Sequence, residues 1–290
     1  MNNILSFGEV LADIFPSGAK AGGAPANFAW YCSQLEANAE IVSAIGADET
    51  RRFISDVFKE AGISSKYIQI SKSFPTGSVQ IKLDKNSVPE YVFLKDTAYD
   101  NIEFTPVIKE FAQSVDLIYF GTLAQRSAKS AETIQKILAA GKNAVKAYDI
   151  NLRQNYYSKE IIENSLLNAN ILKISLEELP VCAKALNLQY VSEDICIQLL
   201  KKFNLDIVAL TKGSLGSTIF TKDRKYHSAG IPVKAVDTVG AGDAFAAVLC
   251  MGFLQKADFE IIGKMANAVA SYVCTQPGAM AKLPRGLWKK

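Results

Sequence analysis

The chain has 290 residues, 49% of them hydrophobic and 21% charged, with a formal net charge of +3. That suits one sizeable α/β domain with at most a small accessory element. So small an excess of mixed charge argues against nucleic acid or an acidic membrane surface as the partner, and the basic residues at 285–290 read as a solvated tail.

The opening, MNNILSFGEVLADIFPSG, lacks the basic start and small-residue cleavage site of a signal peptide, and Glu9 and Asp13 interrupt it early. The longest apolar stretch, 244–254, is too short to span a bilayer. The expected location is the cytoplasm. Cys32, Cys182, Cys196, Cys250 and Cys274 are scattered, with no C-x-x-C pair, so they read as buried small side chains rather than zinc ligands or disulfides. His227 is the sole histidine and lies in a polar stretch, which gives a structural or exposed reading and leaves little basis for a His-centred site.

In chain order, strands are expected at 4–7, 40–45, 116–120, 144–150, 171–174 and 207–210. Several are apolar nearly throughout, as strands covered on both faces are. Helical patterns fall between them at 25–35, 50–61, 127–138, 159–168 and 193–203. The alternation predicts a mostly parallel sheet wrapped by helices. Residues 77–83 and 90–94 alternate apolar and polar around the polar turn 84–89, with no helix between them. They predict an antiparallel hairpin projecting from the main body. A second antiparallel pair is expected at 217–220 and 225–228. The chain shows no internal repeat and reads as one domain with a lid.

Two glycine loops carry the chemistry. In AGGAPAN, at 21–27, Gly22 and Gly23 let the backbone press against a small ligand, and Asn27 offers a donor and an acceptor to hydroxyls. Asp13 adds two acceptor oxygens. Taken alone, this segment also reads as a tight turn into a helix. The late segment AVDTVGAGDAF, at 235–245, opens an apolar helical run. A helix starting near Asp243 aims free backbone N–H groups and a partial positive charge into the Gly240–Ala241–Gly242 turn, which makes an anion site. Phosphoryl transfer spreads negative charge over oxygens that such donors suit. Asp243 fits a base that takes the proton of an attacking hydroxyl, and equally a plain helix cap, the simpler reading of these residues alone. A dinucleotide fingerprint lacks its third glycine, and no G-x-x-x-x-G-K-[ST] loop is present.

Together, G-G-x-P-A-N early and D-T-x-G-A-G-D-A-F late resemble the two signatures of the ribokinase-like, or PfkB-type, carbohydrate kinases. ILSFGEVLAD, TGSVQIKL, GTLAQRS, DINLR, LKISLEEL, TKGSLG and CTQPGA follow the same order and spacing. The resemblance implies a ribokinase-like α/β fold: a mostly parallel central sheet flanked by helices, with a small antiparallel β lid formed mainly by about 70–100 with part of 9–20. It implies ATP and Mg2+ as cofactors and a small sugar as substrate. Asp243 then resembles the catalytic base, and Gly240, Ala241 and Gly242 the anion hole. Arg153 resembles a basic residue near the phosphates, and Asp13, Gly22, Gly23 and Asn27 resemble sugar contacts. Thr211, Gly213 and Gly216 resemble the loop along the nucleotide, and Asn267 an adenine-side contact. Glu178 resembles the acidic residue of the family's N-x-x-E element, which acts on magnesium through water, although Ser175 stands where that element has Asn. Asp237, Val239 and Gly278 resemble a monovalent-cation site for K+, where the ammonium of Lys282 is expected to replace or weaken the ion. A homodimer through the lid is the family's analogy.

The opening segment and lid resemble fructokinases most, so fructose to fructose 6-phosphate is the expected reaction. Ribose, 2-keto-3-deoxygluconate or a nucleoside are the alternatives within the family. A non-catalytic sugar- or nucleotide-binding regulator is the alternative of another class.

Overall fold

Alternating apolar residues along each short strand face opposite sides of a sheet, and here both sides are covered. The computed structural model describes residues 1–15, 18–83, 89–189 and 192–288. The strands are β1 Asn3–Phe7, β2 Leu11–Phe15, β3 Gly18–Gly22, β4 Asn38–Gly46, β5 Ile68–Ser71, β6 Gly77–Leu83, β7 Pro89–Phe93, β8 Leu117–Gly121, β9 Val145–Asp149, β10 Ile171–Ser175, β11 Ile207–Thr211, β12 Gly216–Phe220 and β13 Lys225–Ala229. The α-helices are α1 Ala24–Gln34, α2 Glu49–Ala61, α3 Pro106–Ser114, α4 Ala128–Ala140, α5 Lys159–Asn168, α6 Leu179–Ala185, α7 Asp194–Lys202, α8 Ala241–Leu254 and α9 Phe259–Cys274.

The main sheet runs β13-β12-β11-β10-β9-β8-β1-β4-β5 and is parallel from β11 to β5. The late pair expected at 217–220 and 225–228 joins it as the antiparallel strands β12 and β13. On one face Leu5, Phe7, Ile118, Phe120, Leu172 and Ile174 pack with α3 to α7 residues such as Phe111, Ile134, Leu166 and Leu199. On the other, Ile4, Leu117, Tyr119, Ile171 and Ile207 pack with Phe28 and Tyr31 of α1, Phe245 and Leu249 of α8, and Val269 of α9. The cysteines are free thiols, four of them buried and Cys274 half-buried, and His227 is exposed.

The second sheet runs β3-β2-β6-β7. The expected hairpin is present as β6 and β7, from Val79 opposite Phe93 to Leu83 opposite Pro89; its expected turn, 84–89, falls largely outside the described residues. The sheet is mixed rather than purely antiparallel. β2 leaves the main sheet after β1, and β6 returns beside it in parallel, Asp13 opposite Val79. β3 pairs antiparallel with β2, Asp13 opposite Lys20. Its sequence, GAKAG, has little strand propensity, and its pairing with β2 makes it a strand.

Both ends of the β6–β7 excursion are tied to the body. Asp48 caps α2 at the Arg51 amide and accepts the Thr76 amide and hydroxyl, each at 2.7 Å, just before β6. After β7, Arg126 forks onto Asp100 at 2.7 and 2.8 Å and donates to the Leu94 carbonyl at 2.6 Å. Its guanidinium also stacks on Tyr99 and Tyr156. The second sheet is thereby held over the C-terminal edge of the main strands.

Candidate active site

Parallel strands deliver their following loops to one edge of the sheet, where ligands of α/β folds gather. Here those loops, the second sheet and the starts of α1 and α8 enclose a cavity of about 510 Å³. Glu9, Asp13, Gly23, Asn27, Arg153, Val239, Gly240, Gly242 and Asp243 line it, with Leu11, Phe15, Val79 and Phe93 supplying apolar walls.

The two glycine loops meet here. Asn27 Nδ2 donates to Asp243 Oδ2 at 2.8 Å in a buried setting, joining residues 216 apart in sequence. Asn27 Oδ1 is buried with no protein partner. Gly240 caps α8 with φ +82°, and a Cβ there would collide with the Ala279 carbonyl. Tyr31 of α1 donates to that same carbonyl at 2.7 Å, so α1, the C-terminal segment and the start of α8 are fixed together. The first N–H to close the helical ladder is that of Ala244, on the Gly240 carbonyl. The preceding Gly242 and Asp243 amides have no intrahelical acceptor, as at any helix start. Ala241 begins the helix, half-buried. Gly22 sits in β3 opposite Leu11, beside the Asp13 carboxylate.

The electrostatics favour proton acceptance. Burial raises the Asp243 carboxyl above its ordinary value, against the Asn27 hydrogen bond and the Lys173 and Arg153 charges. Burial likewise pushes Glu9 up to about 7, against its own backbone hydrogen bond and Arg153, and Asp13 up to about 6, against Arg153 and Lys20. Arg153 is exposed at the rim, yet its charge acts on all three.

Other expected residues lie elsewhere. Thr211 ends β11, and its carbonyl accepts the Leu176 amide; Gly213 and Gly216 shape the following turn, where the Lys212 amide donates to the Gly216 carbonyl. None of the three lines the cavity. Asn267 is 6% exposed, and its amide nitrogen donates to the Ser228 and Ala229 carbonyls at 2.9 and 3.1 Å. This side chain clamps α9 to β13 through its amide nitrogen. Glu178 accepts the Leu152 amide at 2.7 Å and the Ser175 amide at 2.8 Å. The backbone of residue 175 thus meets Glu178 whatever side chain stands there.

The residues expected at a monovalent-cation site lie around Asp237, with Lys282 paired apart from them. Lys282 is exposed, and its carbonyl accepts the Tyr272 hydroxyl. The ammonium at Asp237 belongs to Lys20, at 3.3 Å. Val239 and Gly278 both donate their amides to Asp237, at 3.1 and 3.0 Å. Burial works to raise Asp237, but these amides and Lys20 hold it below the usual carboxylate value.

Three functional candidates went unassigned in the sequence. Glu9 was visible only as an interruption in an apolar opening. Asp149 and Lys173 sat inside the DINLR and LKISLEEL segments, but nothing linear pairs them. Lys173 Nζ lies 3.0 Å from both Asp149 oxygens, and Lys173 lines the cavity.

A helix start free to hold an anion, beside a buried carboxylate with a raised proton affinity, can move a phosphoryl group onto an alcohol. Residues 10–285 match the pfkB family carbohydrate kinase, and the chain belongs to this family. It is a phosphotransferase acting on a sugar hydroxyl. Fructokinase-1 of Oryza sativa subsp. japonica is 26% identical over 308 residues, covering 97% of this chain and 94% of that protein. The crystal structure of an uncharacterized sugar kinase from Pyrococcus horikoshii in complex with ATP superimposes with a TM-score of 0.82 at 25% identity, over 96% of this chain and 94% of that one. The fructokinase from Vibrio cholerae O395, in a form with fructose, ADP and calcium bound, gives a TM-score of 0.82 at 24% identity, over 98% and 96% of the two chains, a likeness of fold.

Replacing Asp243 with Asn removes the proton acceptor and retains the size of the side chain. Asp243→Asn is expected to lower kcat by about 100-fold or more while ATP binding, measured by titration calorimetry, stays near wild type. A variant with wild-type kcat would remove Asp243 from the base role.

Proposed function

We propose that this protein is an ATP-dependent fructokinase that converts fructose to fructose 6-phosphate in the cytoplasm. Its body is a single kinase domain, and the β3-β2-β6-β7 sheet is a lid over the sugar. The observation that carries the reading is the buried Asn27–Asp243 hydrogen bond inside a cavity that also holds the start of α8. The unpartnered Asn27 Oδ1 accepts one sugar hydroxyl, Asp13 accepts others, and Asp243 takes the proton of the attacking hydroxyl. The Gly242 and Asp243 amides, with Gly240 and Ala241 shaping the turn, receive the transferring charge, and Arg153 draws the phosphates to the rim. Gly213, Gly216 and Thr211 flank the nucleotide. Closure of the lid excludes water, which would otherwise compete for the phosphoryl group.

Magnesium suits the donors present. No group of three His, Cys, Asp or Glu able to hold a metal occurs among the described residues, and magnesium commonly relies on phosphate oxygens and water. Glu178 retains lone pairs beyond its two amide partners and orients one such water. When bound, the ion neutralises phosphate charge. A potassium ion at Asp237 fits less well, since two amides and the Lys20 ammonium already meet that carboxylate. Lys20 fills that place.

A neutral sugar is favoured over a sugar acid. Glu9, Asp13 and Asp243 offer hydrogen-bond acceptors to a polyol and repulsion to a further carboxylate. Relatives named fructokinase that match nearly the whole chain support the choice of fructose. The exposed Val92 and Leu94 on the lid support a homodimer through that sheet.

The decisive assay is coupled ADP release over fructose, ribose, 2-keto-3-deoxygluconate and nucleosides, in sodium and in potassium. Fructose should give the highest kcat/KM, by about tenfold or more, with equal rates in the two salts. A higher kcat/KM on another acceptor overturns fructose, strong potassium activation overturns the Lys20 assignment, and sugar binding without ADP release favours a regulator. Sedimentation should return twice the chain mass; a monomer would remove the lid dimer.

A further inference from the structure

Lys173 is a charged residue in an apolar strand. On β10 it shares its face with Ile171, the face that packs against α1 and α8, and it is 8% exposed. Its ammonium lies 3.0 Å from both oxygens of Asp149, which is 1% exposed and also accepts the Tyr119 hydroxyl at 3.0 Å. Burying such a pair is costly, and apolar residues of similar volume often serve stability as well or better. Core packing therefore gives little reason for a lysine at this position.

Its placement relative to the reaction centre gives one. A Cβ built on Gly242 would lie 3.2 Å from Lys173 Nζ, so the ammonium sits directly under the first turn of α8. Two of its three N–H bonds point at Asp149, and the residue also lines the cavity. The groups acting on Asp243 come from every side. Asn27 and Tyr31 stand on α1, Glu9 follows β1, Tyr119 is on β8, Asp149 on β9, Arg153 in the next loop and Lys173 on β10. Of the two cations, Arg153 is exposed and screened by salt, whereas Lys173 is sheltered.

We infer that the Lys173–Asp149 ion pair is a positioning device for phosphoryl transfer, with the sheltered ammonium holding Asp243 in its proton-accepting form and backing the anion-binding start of α8. The inference rests on the proposed kinase chemistry. Asp149 fixes the ammonium, which burial alone would drive toward neutrality; Asp149, Glu178 and Asp243 together keep its proton affinity raised. Asp243 must be ionised to act as the base. Loss of the cation raises its proton affinity, so the acid limb of kcat moves to higher pH.

The test compares wild type, Lys173→Met and the charge-free pair Lys173→Met/Asp149→Asn in sugar-dependent ADP release across pH, with Asp243→Asn as reference. The single variant should lose about tenfold or more in kcat, with little change in the KM for sugar, and its acid limb should rise by about one pH unit. The double variant should regain the wild-type melting temperature but not the wild-type kcat. A single variant with an unshifted limb, or a double variant with wild-type kcat, overturns the inference, because the pair would then only fill the core. A double variant that cannot fold overturns it for the same reason. A wild type inert with every sugar, or an active Asp243→Asn, would instead remove the kinase reading itself.

Discussion

The buried hydrogen bond from Asn27 Nδ2 to Asp243 Oδ2 joins two helix starts that the chain reaches more than 200 residues apart. Everything proposed for the cavity depends on that convergence. α1 brings an amide able to address hydroxyls, and α8 brings a carboxylate and free main-chain N–H groups. Phe28 and Phe245 belong to one apolar cluster on the same face of the sheet, so packing sets the distance between the helices. The Tyr31 hydroxyl then locks the Ala279 carbonyl against Gly240, leaving no room for a side chain at the turn.

Charge is arranged around this junction with unequal exposure. Glu9, Asp149 and Asp243 are buried, and each carboxyl is pushed up mainly by loss of water. Lys173 opposes this from below and Arg153 from the rim. A carboxylate in this setting takes a proton more readily than one in water. Farther out, the Lys20–Asp237 contact ties the second sheet to the loop that leads into α8.

Much of this was legible in the sequence, for identifiable reasons. The apolar runs at 4–7, 116–120 and 207–210 read as strands, several of them covered on both faces, and the glycine spacing marked both helix starts. Less legible were features created by pairing and contact. GAKAG becomes β3 because β2 lies beside it, and β6 runs parallel to β2 because the chain leaves and re-enters the small sheet. Lys173 is an unremarkable lysine until Asp149 is seen 3.0 Å away. The sequence pointed only to Lys282 near Asp237; Lys20 reaches that carboxylate because β3 folds beside the loop. The amide of Asn267 that holds β13 to α9 is likewise a contact that no linear pattern displays.

The most direct measurement is a crystal structure of the protein with sugar, ADP and a planar phosphoryl mimic. The account predicts one sugar hydroxyl within hydrogen-bond reach of the Asp243 carboxylate, in line with the mimic, and the mimic seated on the Gly242 and Asp243 amides. A sugar bound away from Asn27 and Asp243, or a mimic held elsewhere, would contradict it.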